Sequence, residues 1–173
     1  TGDMEGATYE EFTYEAYGPG GVAVLIKVMT DNRNRTVAEV RHSLTRAGGS
    51  LAGANAVSYQ FKDKGVITLP VSAVAEAELY DAVLEAGAED IRNDGENWEV
   101  VCEPKSFEAV KESVQKLGRE FSSELRLIPD TTVKVTGEDA EKLIRLMDTL
   151  DDLDDVQNVV SNFEIDDSEM EKL

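Results

Sequence analysis

The sequence is poor in the residues on which metal sites and many catalytic sites depend. Its 173 residues include one cysteine and one histidine. The lone Cys102 cannot form an internal disulfide, and one imidazole with one thiolate leaves too few soft ligands for a zinc site. Cys102 shares one face of an alternating strand with Trp98 and Val100, so we expect it in a core. The sequence predicts no metal and no cofactor.

Long hydrophobic runs are also missing. No segment approaches the roughly 18 to 20 apolar residues that span a bilayer, and the first residues show no basic stretch followed by an apolar one. The apolar content of 41% is ordinary for a globular protein, and the length suits one or two domains. We expect a cytoplasmic protein without a membrane partner.

Basic residues are scarce and unevenly placed. The formal net charge is −19, and a field of that sign repels phosphates. Residues 1–65 carry 8 acidic and 7 basic residues, whereas residues 66–173 carry 28 and 10, so the acidity lies in the later part. The charged residues between positions 31 and 46 are Asp31, Arg33, Arg35, Glu39, Arg41 and Arg46. Because this short stretch is net positive, we expect any polyanion contact there.

The most distinctive stretch combines a glycine hairpin, an apolar strand and a basic helix. Its motifs are Tyr17-Gly18-Pro19-Gly20-Gly21, Thr30-Asp31-Asn32-Arg33-Asn34-Arg35-Thr36, Arg41-His42, Gly48-Gly49 and Lys64-Gly65-Val66-Ile67. Together they resemble the YebC family of bacterial proteins. The resemblance extends over nearly all of the chain and is densest between residues 9 and 67.

The resemblance implies a function and a domain plan. The family comprises proteins described as transcriptional regulators and as ribosome-associated translation factors, together with mitochondrial translational activators. Its members resemble three-domain proteins with a basic, helical amino-terminal domain, and nothing in this sequence matches that domain. The resemblance therefore implies a truncated or processed form whose partner, DNA or ribosomal RNA, is bound mainly through the missing domain. The alternative is that the sequence was simply cut there.

The first segment is predicted to contain a hairpin, a helix and a third strand. The predicted elements are strands Tyr9–Tyr17 and Val22–Thr30, helix Val37–Ala47 and strand Ala56–Phe61. Aromatic and β-branched residues favour the strands, and glycine with proline between the first two suits a hairpin loop. Thr36 and Glu39 have the spacing of a capping box, and Gly48 provides a left-handed stop.

The middle of the chain follows a ferredoxin-like order. The predicted elements are strand Val66–Pro70, helix Ala75–Ala86, strands Asp90–Asn93 and Trp98–Glu103, helix Ser106–Leu117 and strand Glu124–Ile128. Asp94-Gly95 is a strong hairpin signal between the two central strands. Strand, helix, strand, strand, helix, strand is the split βαβ pattern.

The tail supplies the elements that the first segment lacks. A helix Glu138–Leu150, capped by Thr136 with Asp139 three residues later, precedes a strand near Val156–Ile165. We therefore predict an α+β fold of two ferredoxin-like α/β sandwich domains, the second inserted into the first. Residues 1–64 plus 136–173 form one domain and residues 65–135 the other, as the YebC resemblance also implies. The alternative is two consecutive domains with a loosely attached acidic tail.

Catalytic candidates are few. His42 is the only imidazole, and its place opposite the apolar stripe of the predicted helix indicates exposure. Ser43 is adjacent in sequence, but consecutive helical residues point about 100° apart and do not face each other. The sequence predicts a protein that is not an enzyme, with His42 either solvated or contacting a polyanion.

The glycine loop does not fit a known phosphate motif. A strand follows it instead of a helix, and no Lys-Ser or Lys-Thr pair comes after Gly21, so the P-loop and dinucleotide patterns are both excluded. One interpretation is a hairpin in which Gly20 and Gly21 supply positive φ. The other is an exposed tip where Tyr17 stacks on a base or approaches RNA.

The arginine cluster is the main candidate site. Arg33 and Arg35 stand before the predicted helix, where positive charge opposes the helix dipole. They either pair with Asp31 and Glu39 or project toward phosphates, which a guanidinium grips with two donors. The other candidate residues are Arg41, which has the alternative of a carboxylate partner at the domain boundary, His42 and Arg46 on the outer helix face, and Lys62 and Lys64.

The acidic run at the end of the tail helix has a simple interpretation. Asp151, Asp152, Asp154 and Asp155 lack the glycine and the terminal glutamate of an EF-hand. We therefore expect a solvated helix end.

Three functions remain open from the sequence. The leading one is a non-enzymatic, nucleic-acid-associated regulator of gene expression, a DNA-binding transcriptional regulator of the YebC type. The resemblance implies as its alternative a ribosome-associated factor that relieves stalls at proline-rich sequences. An acidic protein-interaction module is the third, and neither the sequence specificity nor the oligomeric state is predicted.

Overall fold

A computed structural model of the chain describes residues 8–166 and residue 171. The strands, in chain order, are β1 (Glu10–Tyr17), β2 (Ala23–Thr30), β3 (Ser50–Leu51), β4 (Phe61–Pro70), β5 (Ala88–Asn93), β6 (Asn97–Cys102), β7 (Ser122–Pro129), β8 (Val133–Lys134), β9 (Val156–Ser161) and β10 (Phe163–Glu164). The α-helices of the described residues are α1 (Arg33–Ala47), α2 (Glu76–Val83), α3 (Phe107–Gln115) and α4 (Gly137–Asp151). None of these helices combines the length and the apolar character that crossing a membrane requires.

The chain divides into two compact units. Unit 1 runs to Phe61 and resumes at Pro129, and unit 2 comprises Lys62–Ile128. The boundaries that the sequence predicts, at 64/65 and 135/136, and the insertion of one domain into the other stay a prediction. Each unit contains a four-stranded antiparallel sheet and two α-helices, so the predicted α+β class is confirmed.

Unit 1 is built on the predicted hairpin. Its sheet has the order β3-β1-β2-β9, and a separate parallel ladder joins β8 to β10. β1 and β2 pair antiparallel from Glu10 opposite Thr30 to Tyr17 opposite Ala23, which confirms the hairpin. Alternate residues of the hairpin, among them Val24 and Ile26, pack against the apolar stripes of α1 and α4. This leaves the outer faces of both helices exposed.

Helix α1 begins one turn earlier than the sequence predicts. Asn32, and not Thr36, is the N-cap, since its side-chain oxygen accepts a hydrogen bond from the Arg35 amide at 3.1 Å. Thr36 is buried, and its hydroxyl donates to the Asp155 carboxylate at 2.7 Å. Because that hydroxyl has a tertiary partner, the predicted capping box is wrong. Gly48, with φ of +87°, ends the helix in the left-handed conformation, as predicted.

The predicted strand Ala56–Phe61 is wrong. This segment contains a short 3-10 turn, Ser58–Gln60, and only Phe61 enters a strand. The carboxylate of Glu15 accepts hydrogen bonds from the amides of Asn55, Val57 and Ser58 at 2.6, 3.0 and 2.7 Å. These amides point toward one carboxylate and are therefore not part of a strand ladder, although Val57 is as buried as a strand residue.

Unit 2 has the ferredoxin-like strand order β5-β6-β4-β7. The hairpin between β5 and β6 turns at Asp94 and Gly95, as predicted, and Gly95 has φ of +99°. Cys102 is fully buried beside Val100 in the core, which confirms its predicted place. Burial, followed by the charge of the Glu89 carboxylate, raises the pKa of the Cys102 thiol, so it behaves as a small apolar side chain.

The end of α4 is only partly a solvated helix end. Asp151, Asp152 and Asp154 are exposed, but Asp155 is buried. Its Oδ2 lies 2.7 Å from the Thr36 hydroxyl, 3.2 Å from the Thr30 hydroxyl and 2.9 Å from a guanidinium nitrogen of Arg35. For Asp155 the expectation of a solvated residue is wrong, because it ties β2 and α1 to the chain that follows α4.

Candidate nucleic-acid interface

The outer faces of α1 and α4 border a groove of about 540 Å³ with basic residues on both sides. His42 and Arg46 line it from α1, and Lys142 and Arg145 line it from α4. Residues three or four positions apart share one face of a helix, so each helix presents both of its basic residues to the groove. We call these four residues the cationic groove. Leu146, which is buried, contributes to its apolar lining.

The charges of the cationic groove are only partly neutralised. Lys142 pairs with Glu138 at 3.5 Å and Arg145 pairs with Glu141, each one helical turn away on exposed surface. Such pairs are weak and give way readily to another anion. Within residues 8–166, the side chains of Arg46 and His42 form neither an ion pair nor a hydrogen bond. Glu39 also lines the groove, so one carboxylate stands beside the basic side chains. Among the lining residues, the basic ones still outnumber the acidic one.

Arg33 and Arg41 lie on a different side of α1, next to two aromatic rings of β1. The guanidinium carbon of Arg33 lies over the Phe12 ring, 4.7 Å from its centroid. Phe12 meets Tyr14 edge to face, with centroids 5.0 Å apart. Burial raises the pKa of Tyr14, whereas the positive charges of Arg33 and Arg41 act in the opposite direction. We call Phe12, Tyr14, Arg33 and Arg41 the aromatic edge.

Arg35 belongs to the internal framework of unit 1. Its guanidinium lies 2.9 Å from Asp155 and 3.3 Å from Asp31, and the hydrogen bond and charge of Asp155 raise its pKa. Asp31 is one of the two carboxylate partners that the sequence suggests for Arg35. The closer partner of Arg35, however, is Asp155 and not Glu39. Burial by itself raises the pKa of Asp155, but the hydrogen bonds from Thr36 and Arg35 outweigh it and lower that pKa.

The glycine loop packs against unit 1 itself. Gly20 and Gly21 have φ of +80° and +78°, so they supply the positive φ that the turn requires. A Cβ on Gly20 would lie 3.0 Å from Val135 Cγ1, close to the start of α4. Tyr17 is 40% exposed and, by strand alternation, faces the side of the sheet opposite Tyr14. None of the described residues that line the cationic groove belongs to this loop, and Tyr17 lies on the other face of the sheet from Phe12 and Tyr14.

Lys62 and Lys64 lie in unit 2. Lys64 Nζ lies 2.6 Å from Glu89 and 3.1 Å from Glu103, and its side chain is only 18% exposed. The hydrogen bond that Lys64 donates to Glu89 raises the pKa of Lys64, although burial opposes it. Lys64 is thus held inside an ion-pair cluster.

Sequence reasoning missed Lys142 and Arg145 in the groove and the rings of Phe12 and Tyr14. The first pair carries a signal, since basic residues three positions apart on the outer face of a predicted helix are visible in the sequence. The position of α4 beside α1 is not visible, because they are separated by about 90 residues in the chain and only the fold brings them together. For Phe12, the sequence shows an aromatic strand residue without showing which cation lies over it.

The side chains of the groove are suited to binding an anion. The Ser43 hydroxyl donates to the Glu39 carbonyl of its own helix at 3.0 Å, so it is not activated by His42. Among the residues that the structure describes, no three His, Cys, Asp or Glu side chains group as metal ligands. The groove presents guanidinium and ammonium groups beside a partly apolar lining.

Comparison with known proteins identifies the family. The chain is 50% identical over 174 residues to a protein of Acidithiobacillus ferrooxidans and to one of Geobacter sulfurreducens, GSU1074, both named "Probable transcriptional regulatory protein"; the matches cover 100% of this chain and 69% and 70% of those proteins. The crystal structure of a conserved hypothetical protein, Aq1575 of Aquifex aeolicus, is 43% identical, with a TM-score of 0.81, over 96% of this chain and 70% of that one. The family model described as "TACO1/YebC second and third domain" matches residues 9–163. The chain therefore belongs to the TACO1/YebC family.

Proposed function

We propose that the chain is a non-enzymatic, DNA-binding regulator of transcription that acts in the cytoplasm and holds the phosphate backbone in the cationic groove. The single observation that carries the proposal is the pairing of His42 and Arg46 on α1 with Lys142 and Arg145 on α4 across one groove. The names of the relatives support a regulatory role, since they are called probable transcriptional regulatory proteins.

The form of the groove favours phosphate over base edges. Cations on both sides of a groove follow a charged backbone, and such contacts set register and orientation without reading sequence. Arg46 is the strongest contributor, because its planar fork bonds two phosphate oxygens at once and it has no ion-pair partner among the described residues. The groove is therefore expected to bind with little preference for sequence.

Although the overall charge is −19, binding through the groove should weaken as the salt concentration rises, because it depends on contacts between cations and phosphates. Phosphate contacts release condensed counterions, and the affinity falls with a slope of about 0.9 in log–log form for each contact. The acidic remainder of the surface repels DNA and confines binding to the groove.

The test compares two double variants with the same change of charge. Arg46→Ala with Arg145→Ala removes a cation from each side of the groove, and Lys105→Ala with Lys116→Ala removes two exposed lysines of unit 2. Fluorescence anisotropy with a labelled duplex, titrated at several salt concentrations, gives affinity and slope. We expect the groove variant to flatten the slope by about two units and the control to bind as the unmodified chain does.

Purified ribosomes in a parallel sedimentation assay distinguish the translational alternative. Duplex binding that depends on the groove supports the proposal. Binding to ribosomes in the absence of any binding to duplex DNA overturns it in favour of a ribosomal RNA partner. An equal loss of duplex affinity in the groove variant and in the control overturns the assignment of the groove as the binding site, because total charge would then explain the binding.

A further inference from the structure

The aromatic edge of unit 1 holds a guanidinium against an aromatic ring at the surface. Arg33 lies over Phe12, and its side chain is 67% exposed, so much of it remains open to solvent. Its ion pair with Glu10 is long, at 4.0 Å between two exposed side chains. A pair of that kind contributes little, and the aromatic contact is what positions Arg33.

The aromatic edge is distinct from the cationic groove. Residues of an α-helix advance by about 100° each, so Arg41 and Arg46 point roughly 140° apart around α1. His42 and Arg46 turn toward α4, whereas Arg41 acts on the Tyr14 phenol of β1. A ligand at the aromatic edge therefore meets Phe12, Tyr14, Arg33 and Arg41, and none of the groove cations.

We propose that the aromatic edge is a stacking site for an unpaired base of a single-stranded nucleic acid, with the base on the exposed face of Arg33 and the adjoining phosphate at Arg41. The proposal rests on the proposed function and names the form of nucleic acid that this second surface takes. Unpaired bases stack on guanidinium planes and aromatic rings in protein complexes. Arg41 has no ion-pair partner within residues 8–166 and supplies the charge that a phosphate needs.

Double-stranded nucleic acid does not fit the aromatic edge. Base faces in a duplex are covered by their neighbours, and only base edges reach the grooves. A platform formed by one guanidinium over one ring offers a face, not the row of donors that reads an edge. The aromatic edge therefore selects single strands, whereas the groove accepts any phosphate backbone.

The test uses single-stranded oligonucleotides that contain 2-aminopurine, whose fluorescence reports stacking. Arg33→Lys keeps the charge and removes the planar group, and Phe12→Leu keeps an apolar side chain and removes the ring. We expect either change to weaken single-strand binding about tenfold, the contribution of one stacked base, and to abolish the change in fluorescence. Duplex affinity should stay within about twofold of that of the unmodified chain.

Arg92→Lys is the matched control, because it makes the same change at an exposed arginine of unit 2, which pairs with Asp90 and lies outside the aromatic edge and the cationic groove. Thermal unfolding of each variant checks that the fold is retained. DNA and RNA strands of equal sequence form two arms, and stronger binding of either one supports the proposal equally.

The outcomes separate this inference from the proposed function. If Arg33→Lys binds single strands and alters 2-aminopurine fluorescence as the unmodified chain does, the stacking site is wrong while groove-dependent duplex binding stands. If the unmodified chain binds neither single strands nor duplex, both proposals are overturned. Loss of single-strand and duplex binding together in Arg33→Lys also overturns the inference, since Arg33 would then act as a general phosphate contact.

Discussion

The two units share an architecture but hold several of their cations differently. Each has a four-stranded antiparallel sheet and two α-helices. In unit 2, Lys64 lies between Glu89 and Glu103, and Arg126 lies 2.9 Å from Glu99 and 3.1 Å from Glu124. In unit 1, Arg46, His42 and Arg41 have no ion-pair partner among the described residues.

Net charge does not explain this difference. Residues 62–128 carry 15 acidic and 8 basic residues, a balance of −7, whereas the rest of the chain carries 21 and 9, a balance of −12. Unit 1 is the more acidic of the two, yet Arg41 and Arg46 have no ion-pair partner among its described residues. On a shared fold, the position of a cation relative to the nearby carboxylates determines whether the cation is available to a ligand. The fold alone does not imply a function.

The largest expected effect comes from the buried network of unit 1. Asp155→Asn removes the charge that Arg35 and the hydroxyls of Thr30 and Thr36 share. We expect a loss of about 2–3 kcal/mol in the free energy of unfolding, because asparagine keeps an acceptor oxygen but not the charge that strengthens these hydrogen bonds at a buried site. Glu99→Gln, at the partly buried Arg126 pair of unit 2, leaves Glu124 as a second carboxylate partner and should cost about 1 kcal/mol. Urea unfolding followed by hydrogen exchange in each unit measures both.

The pH dependence of the same network has a definite sign. The folded pKa of Asp155 is lowered, so its contribution is fully present above the unfolded pKa of about 3.9 and is lost as pH falls through the lower folded value. Asp155→Asn should remove this part of the acid sensitivity of unit 1. An unfolding midpoint that changes with pH equally in the variant and the unmodified chain would contradict the network.

The network around Asp155 also shows which features of the fold cannot be predicted from the sequence. The hairpin, the Gly48 stop and the ferredoxin-like order of unit 2 are local or periodic signals, and the structure confirms them. The start of α1 was missed because both Asn32 and Thr36 are good N-caps, and a tertiary partner, Asp155, decides between them.

The candidate site is less predictable than the fold for the same reason. The arginines are visible as a cluster in the sequence, but the structure divides them among an internal ion pair at Arg35, the cationic groove and the aromatic edge. Helix angles separate Arg41 from Arg46 in principle. The partners that give each residue its role, Asp155 and Phe12 among them, come from distant or differently paired segments.

A medium effect is expected where a carboxylate holds backbone amides. Glu15 reaches about 40 residues along the chain to the amides of Asn55, Val57 and Ser58, whereas Asp94 of unit 2 binds the nearby amides of Glu96 and Asn97. Glu15→Gln should speed hydrogen exchange at the three loop amides, with a loss of about 1 kcal/mol in local stability.

The matched control for Glu15→Gln is Glu11→Gln, on the same strand and the same face. Burial raises the pKa of Glu15, but the hydrogen bonds from Val57, Asn55 and Ser58 outweigh it and leave that pKa lowered. Exchange at these amides should therefore also quicken as pH falls through the folded pKa, after correction for the intrinsic rate. Unchanged protection in Glu15→Gln would show that the buried Val57 alone holds the loop.

The smallest effect is expected from the paired cations of unit 2. Lys64→Ala with Arg126→Ala changes the net charge as much as removing two groove arginines does, but both residues are already held by carboxylates. Recruiting either one to a phosphate would require breaking these pairs, and two freed glutamates would repel the ligand. Duplex affinity in the anisotropy titration should therefore stay within about twofold of that of the unmodified chain, with an unchanged salt slope. A slope that flattens as much as in Arg46→Ala with Arg145→Ala would remove the distinction between the units, because cations in ion pairs would then contact DNA as readily as unpaired ones.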